Sequence, residues 1–308
     1  MTEYVHSPMI KIAYSPVYKY QLPEGHRFPM MKYELIPEQL IYEGSITEKH
    51  FFHPEALDEE TILLTHNKEF WKKLQGQTLS KKEIRKIGFP MTGALVQRGR
   101  HIAQGTIDCA LYAMDNGCAM NVAGGTHHSF ADRGEGFCVF NDFAIASNYL
   151  LNQKIVKRIL IVDLDVHQGN GTAKIFEKNS RVFTFSMHGA KNYPTKKERS
   201  DLDIALPDKT EDDLFLKTLK ETIPSLINKH KPDIILYLSG VDVLETDKLG
   251  RLSMTLDGCR KRDEIVFQTA SKFGIPVAVS MGGGYSERLK DIVEAHANTF
   301  RSAIEVFE

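Results

Sequence analysis

The stretch Ile159-Leu-Ile-Val-Asp-Leu-Asp-Val-His-Gln-Gly-Asn-Gly171 constrains the fold of this chain more than any other. It begins as a continuous apolar run, turns acidic within a few residues, and ends on a histidine and two glycines. That is how a buried parallel strand reads when it delivers polar groups at its C-terminal end. Alternate side chains of an extended chain face the same side, so Asp163, Asp165 and His167 share one face. Asp165 and His167 then offer a carboxylate oxygen and an imidazole nitrogen to one point, a donor pair suited to zinc. The plainer reading, three polar residues in a surface loop, loses weight from what the other strands carry.

With 308 residues, 42% hydrophobic and 26% charged, the chain can bury a core that needs no disulfide support. A net charge of −1 without long runs of like charge argues against nucleic acid or an anionic membrane as the main partner. The pairs Lys81-Lys82 and Lys196-Lys197 read as solvated. Cys109, Cys118, Cys138 and Cys259 form no C-x-x-C pair, so neither a thiolate zinc site nor a redox motif is expected, and a reducing, cytoplasmic setting fits. Residues 1–9 are polar, include Pro8 and do not read as a signal segment. No apolar run approaches the ~18 residues of a membrane span.

Along the chain, a short strand is expected over 10–14, then a loop rich in Tyr, Pro and His, then helical spacing over 30–42 interrupted by Pro37. A helix and a short strand are read over 55–64, and an amphipathic helix over 66–74 with Phe70, Trp71 and Leu74 inward. A long helix over 93–116 ends at Gly117, which suits a left-handed cap. Further strands are expected over 118–122, 158–164, 181–186, 233–239 and 276–281. Helices are expected over 143–153, 172–178, 212–230 with Pro224 inside, 259–273 and 286–307. Strands alternating with helices predict an α/β fold, a central parallel sheet with helices on both faces, in a single domain over residues 1–308.

Sheets of this class bind ligands beyond the carboxyl ends of their strands. Here those ends lead to His127-His128, to Asp163, Asp165 and His167, to Ser186 and His188, to Asp242, and to Gly282-Gly-Gly-Tyr285. Asp165, His167 and Asp242 make a zinc triad with an open fourth position, where the metal lowers the pKa of a water. His127-His128 follows two glycines that allow close backbone approach. The pair reads either as surface residues, as further ligands, or, beside a metal, as a general base with an electrostatic partner. Asp163 and Asn170 are the candidates to orient the two rings. The Gly282 turn lacks the G-x-G-x-x-G spacing of a dinucleotide site and instead presents Tyr285, a phenol able to donate to a developing oxyanion. Phe137, in Gly136-Phe-Cys138, is either ordinary core or the wall of a narrow apolar channel. Ser186 and the backbone at 163–167 could hold a monovalent cation beneath the acidic strand.

Taken in order, His127-His128, Asp163-x-Asp165-Val-His167, Gly240-Val-Asp242 and Gly282-Gly-Gly-Tyr285 resemble the zinc-dependent histone deacetylase family, over nearly the whole chain. Gly25-His-Arg-Phe-Pro-Met30, Gly136-Phe-Cys-Val-Phe-Asn-Asp142 and Asp247-Lys-Leu-Gly-Arg-Leu-Ser253 look most like its class IV branch and bacterial relatives. The resemblance implies an arginase/deacetylase-type fold, Zn2+ at Asp165, His167 and Asp242, and tandem-histidine roles for His127 and His128, with His128 the base. It implies the oxyanion role for Tyr285 and the tunnel wall for Phe137, with Gly125, Gly136 and Gly283 also against the substrate. It further implies K+ near Asp163, Asp165, His167, Ser186 and Met187, a second near Phe176, Asn179 and Val182, and Arg27 in a product-release cavity behind the zinc. The implied reaction is hydrolysis of Nε-acyl-lysine in a protein or peptide; class IV resemblance implies that long fatty-acyl groups could be better substrates than acetyl. Many members have aspartate where this chain has Asn170, and a neutral amide supports His128 less strongly.

The nearest rival is an amidohydrolase of the same fold acting on acetylpolyamines or another small amide. An arginase-like dinuclear site is disfavoured, since Gly169 stands where a further bridging aspartate would be useful. A non-catalytic acyl-lysine-binding protein is the remaining alternative. Oligomeric state is not legible.

Overall fold

The apolar run at 159–163 is buried along its whole length, and the sheet is assembled around it. The structure, a computed structural model, describes residues 9–308; residues 1–8, most of the segment read above as no signal, lie outside the described residues. In chain order the elements are β1 (Lys11–Ala13), α1 (Lys32–Tyr42), β2 (Phe51–Phe52), α2 (Glu59–Leu63), α3 (Lys68–Gln75), α4 (Lys81–Ile87), α5 (Gly93–Asn116), β3 (Cys118–Asn121) and α6 (Asp142–Asn152). Then follow β4 (Ile159–Asp163), α7 (Asn170–Phe176), β5 (Val182–Gly189), β6 (Leu202–Leu206), α8 (Asp212–His230), β7 (Ile234–Leu238), α9 (Leu256–Phe273), β8 (Val277–Ser280) and α10 (Leu289–Phe307).

Among the described residues the strands form one eight-stranded sheet in the order β2-β1-β3-β8-β7-β4-β5-β6. Every pairing is parallel, so all carboxyl ends share one edge. After β4 the chain moves to β5 on one side; after β7, the neighbour of β4, it moves to β8 on the other. The connections therefore diverge between β4 and β7, which opens a crevice at that edge. Register sets Asp163 beside Leu238 on one side and Ser186 on the other.

Both faces of the sheet are covered. Asn121 donates from Nδ2 to the carbonyl of Ile102 in α5, and Ser280, its cross-strand partner, hydrogen-bonds toward Thr106 of the same helix. Tyr237, on the opposite face, donates its hydroxyl to Asp263 of α9. A strand with helices on both sides has no solvated face, which is why β3, β4, β7 and β8 are buried at every position.

Several expectations need adjustment. Within 55–64 there is only α2, capped by Asp58, whose carboxylate accepts from the Thr61 N–H. The short strand lies earlier, at β2, a two-residue edge element paired with β1. Lys81 and Lys82 are exposed, as read, but they open a helix that was not anticipated, α4, which carries a capping box between Ser80 and Glu83. β6 was not anticipated; it alternates Leu202, Ile204 and Leu206 against β5 at the far edge. α8 runs through Pro224 and α5 ends at Gly117, both as expected, but Gly117 caps at φ +83 and ψ −39 rather than in the left-handed helical conformation. Among the described residues no helix is long and apolar enough to cross a membrane.

Candidate active site

The turn leaving β4 folds back on its own carboxylates. The backbone N–H of His167 donates to Asp165 Oδ1 at 2.9 Å, and that of Val166 donates across to Asp242 Oδ1 at 2.9 Å. The Gly283 N–H donates to Asp165 Oδ2 at 2.9 Å. These bonds aim three side chains at one point: His167 Nδ1 lies 3.0 Å from Asp165 Oδ1 and 3.1 Å from Asp242 Oδ2. One donor atom from each of Asp165, His167 and Asp242 lies within 4.8 Å of the other two, and all three residues are buried.

This donor set fits zinc. Burial, and then Asp165, push the Asp242 carboxyl up to about 7. Burial also works against Asp165, but His127 and His167 outweigh it and hold that carboxyl well below its usual range. The interior thus carries one negative charge readily and resists the second. A cation at the convergence point relieves that repulsion, and with three protein ligands it keeps an open position. Space for it is kept by glycine: a Cβ on Gly283 would sit 2.0 Å from Asp242 Oδ2, and one on Gly240 would sit 2.2 Å from Asp165 Oδ2.

The tandem histidines stand beside this cluster on a clamped loop. Asp142, at the start of α6, accepts from the N–H groups of Gly125 and Thr126 at 3.1 and 2.7 Å, and from the hydroxyls of Thr126 and Thr106 at 2.6 and 2.9 Å. Gly124 and Gly125 take φ of +88 and +71, and a Cβ on Gly125 would sit 2.7 Å from Gly282 Cα, so the two glycine turns pack back to back.

His127 Nδ1 donates to Asp163 Oδ2 at 2.7 Å, His128 Nδ1 donates to Asn170 Oδ1 at 2.7 Å, and the two Nε2 atoms are 3.2 Å apart. Burial pulls His127 down, but the Asp163 carboxylate more than offsets it and lifts the ring to about 9. Burial raises the Asp163 carboxyl as well, against the pull of His127; the short contact favours the ion pair, with the proton on His127. His128 has no such partner: burial, then His127 and His167, hold it well below its ordinary value. The two adjacent rings are thus pushed in opposite directions, His127 toward the imidazolium and His128 toward the neutral imidazole.

Tyr285 enters from the other side. Asp247 accepts from its backbone N–H and from those of Leu249 and Gly250, which joins the Tyr285 loop to the segment after Asp242. Burial, then the nearby Asp242 and Asp165, keep the phenol well above its usual pKa, so it remains a donor. Phe137, at a strained φ of +66, faces Tyr285, Phe28 and Phe89 with ring centroids 6.0, 5.3 and 5.1 Å away. A Cβ on Gly136 would meet His128 Cδ2 at 2.6 Å. These residues separate an open mouth of about 610 Å³ from an inner cavity of about 40 Å³ at the Asp–His–Asp cluster, both bordered by His128, Gly136, Phe137, His167 and Tyr285. Gly125 and Gly283 line the inner cavity.

Arg27 is the exception among the expected site residues. It lines the mouth, with its guanidinium 4.9 Å from the Phe137 ring centroid, and does not reach the inner cavity. The arginine there is Arg98, projected inward by α5, buried, and donating from Nε to the Tyr18 carbonyl at 2.6 Å. Ser186 lies beside Asp163 in register, its hydroxyl 3.0 Å from His188 Nδ1, and Met187 is buried in β5. Asp142, Asp247 and Arg98 were missed as site residues, as was Lys32, whose Nζ donates to the Gly282 carbonyl at 2.8 Å beneath the Tyr285 turn. Only Asp142 left a sequence signal, an Asn-Asp pair at a helix start.

Known proteins share this arrangement of chain. The chain is 42% identical over 296 residues to an uncharacterized protein of Picosynechococcus sp., covering 96% of this chain and 99% of that one. It is 29% identical over 289 residues to histone deacetylase 2 of Arabidopsis thaliana, covering 90% and 74% of the two. A crystal structure of an HDAC homolog complexed with SAHA superposes with a TM-score of 0.83 at 25% identity, over 96% of this chain and 84% of that one. The histone deacetylase domain matches residues 26–300. With the parallel sheet, the diverging strand ends and the buried Asp–His–Asp group all in place, the chain belongs to the histone deacetylase family.

Proposed function

We propose that this chain is a zinc-dependent lysine deacylase, one catalytic domain over residues 1–308, that hydrolyses the Nε-amide of acyl-lysine in proteins or peptides. The observation that carries the reading is a tandem histidine pair, His127 hydrogen-bonded to Asp163 and His128 to Asn170, beside a buried Asp165–His167–Asp242 cluster. Those three residues would hold zinc, which supplies Lewis-acid polarisation of the acyl oxygen and a water of lowered pKa. Phe137, Gly136 and Tyr285 flank the lysine stem, and Gly125 and Gly283 border the acyl end. His128, neutral and with its Nδ1–H directed to Asn170, accepts a proton at Nε2 from the attacking water and returns it to the leaving amine. His127, charged by its pairing with Asp163, stabilises negative charge at the reacting carbon's oxygen. Tyr285 donates its hydroxyl to the same oxygen. A K+ beside Asp163, Ser186 and Met187 would steady that acidic strand end; the register of β4 and β5 supports it. Four free, buried cysteines agree with a reducing, cytoplasmic setting.

The inner cavity bears on the acyl group. At about 40 Å³ it is small beside the roughly 610 Å³ mouth and suits a compact acyl group. This favours acetyl over the long acyl groups that class IV resemblance implies. The test is hydrolysis of matched acetyl-lysine and myristoyl-lysine peptides and an acetylpolyamine by zinc-loaded protein, with Tyr285→Phe and His128→Ala alongside. Acetyl-lysine turnover that is lost in both variants is expected. Faster myristoyl release would reverse the acyl assignment, turnover of the polyamine alone would move the protein to small amides, and peptide binding without turnover would make it a reader of acyl-lysine.

A further inference from the structure

The mouth of the channel is built from cations. Arg27, Lys86, Lys191, Lys248 and Arg251 all line it, and among the described residues that border it none is acidic. The whole chain carries a net charge of only −1, so the asymmetry is local. Separate segments contribute, each tied to its neighbours. The Asn192 side chain donates to the Leu249 carbonyl at 2.8 Å, joining the Lys191 loop to the loop bearing Lys248 and Arg251. The latter loop is pinned on Asp247 through the N–H groups of Leu249 and Gly250. His26 reaches the Gly88 carbonyl at 3.0 Å, holding the Arg27 loop against the end of α4, which carries Lys86.

Neighbouring carboxylates neutralise only part of this ring. Lys191 and Arg251 share one partner, Asp208, at 3.7 and 3.3 Å. Lys86 shares Glu135 with Arg133, at 3.2 and 2.9 Å. Arg27 and Lys248 have no ion-pair partner among the described residues.

We infer that the mouth selects acyl-lysines flanked by acidic residues, a conclusion that rests on the deacylase reading above and names its substrate class. A peptide whose modified lysine enters the channel must lay its flanks across this ring. Aspartate or glutamate there meets unneutralised cations, whereas lysine, arginine or a polyamine meets like charge. Fixed loops lower the ordering cost of such contacts, and a one-signed rim also steers oppositely charged partners during encounter.

The experiment measures kcat/KM of zinc-loaded protein on acetyl-lysine peptides of equal length whose flanks are acidic, neutral or basic, at low and at about 1 M salt. Exposed ion pairs are individually weak, so two acidic flanks should favour turnover about 2- to 30-fold over neutral ones, with the gain in KM. The preference should vanish at about 1 M salt, where the Debye length falls to ~3 Å. Lys248→Glu combined with Arg251→Glu should shrink or invert the acidic-to-basic ratio. Equal turnover of all three peptides, or a basic preference, overturns the inference and leaves the deacylase reading standing; no turnover of any peptide defeats both. Competition by a single-stranded oligonucleotide, without any flank preference, would assign the ring to phosphates and also overturn it.

Discussion

At the inner end of the channel, Asp163, Asp165, His127, His128, His167 and Asp242 are all buried, and each has a hydrogen-bond partner at a short, fixed distance. At the outer end, Lys86, Lys191 and Arg251 keep half or more of their side chains in water and share two carboxylates among them. Phe137 lies between the two regions. Burial makes a misplaced or unpaired charge expensive, so the inner site tolerates one arrangement and fixes it with backbone N–H groups. In water the same charges interact weakly and reversibly, which suits grading of partners. The interior should therefore respond to substitution almost all-or-none, and the rim by small, salt-sensitive steps.

The largest expected effect is on the cluster itself. Asp242→Ala should abolish zinc binding and reduce acetyl-lysine hydrolysis to background, checked by metal content and by rate on the same sample. Tyr285→Phe should lower kcat by about 10²–10³, equivalent to about 2.7–4 kcal/mol, with zinc retained. A graded, severalfold loss in either case would mean that the interior behaves like the rim.

The same interior rule reaches His66, far from the cluster in sequence. Its Nε2 accepts from the Asn141 N–H at 3.0 Å, and burial lowers the ring to about 4. Between pH 6.5 and about 4 the unfolded chain binds a proton that the folded chain refuses, so stability is complete above 6.5 and lost as pH falls toward 4. At 1.36 kcal/mol per unit the loss is roughly 3 kcal/mol. Urea unfolding across that range should show it, and His66→Gln, which keeps an acceptor but cannot titrate there, should flatten the acid limb.

A smaller effect is expected where inner polarisation is tuned. Asn170→Asp places a carboxylate against His128 Nδ1, which favours the imidazolium and raises the pKa of the base by about 1–3 units. Because the base must be neutral, the acid limb of the kcat/KM profile should move to higher pH. An unmoved limb would separate His128 from the titration that governs rate. Smallest of all, single substitutions at Lys191 or Lys248 should alter flank preference by only a few-fold and disappear in salt.

Most of the site could be read before the structure because its groups lie in short segments at strand ends. An apolar run fixes the strand, and the residues just beyond it must emerge at one edge once all strands are parallel. That logic holds for Asp165, His167, His127, His128, Asp242 and Tyr285. It fails for groups whose place depends on packing between distant elements. Nothing local says that Arg98 of α5 turns inward while Arg27 stays at the mouth, since both are arginines in mixed surroundings. Asp142 shows in the sequence only as part of an Asn-Asp helix start, and the site roles of Asp142 and Asp247 stay hidden for the same reason: their partners, Gly125 and Tyr285, lie 17 and 38 residues away. The missed β2 and β6 lie at the two edges of the sheet, one too short for any periodicity and the other only half-buried.

The central claim is that a single zinc held by Asp165, His167 and Asp242 makes this interior a lysine deacylase. The most direct test is to strip the protein of metal, add zinc in known increments, and follow release of acetate from an acetyl-lysine peptide. The prediction is a linear rise in rate to a plateau at one zinc per chain, absent in Asp242→Ala. A plateau at two metals per chain, or full zinc loading with no release of acetate, would contradict it.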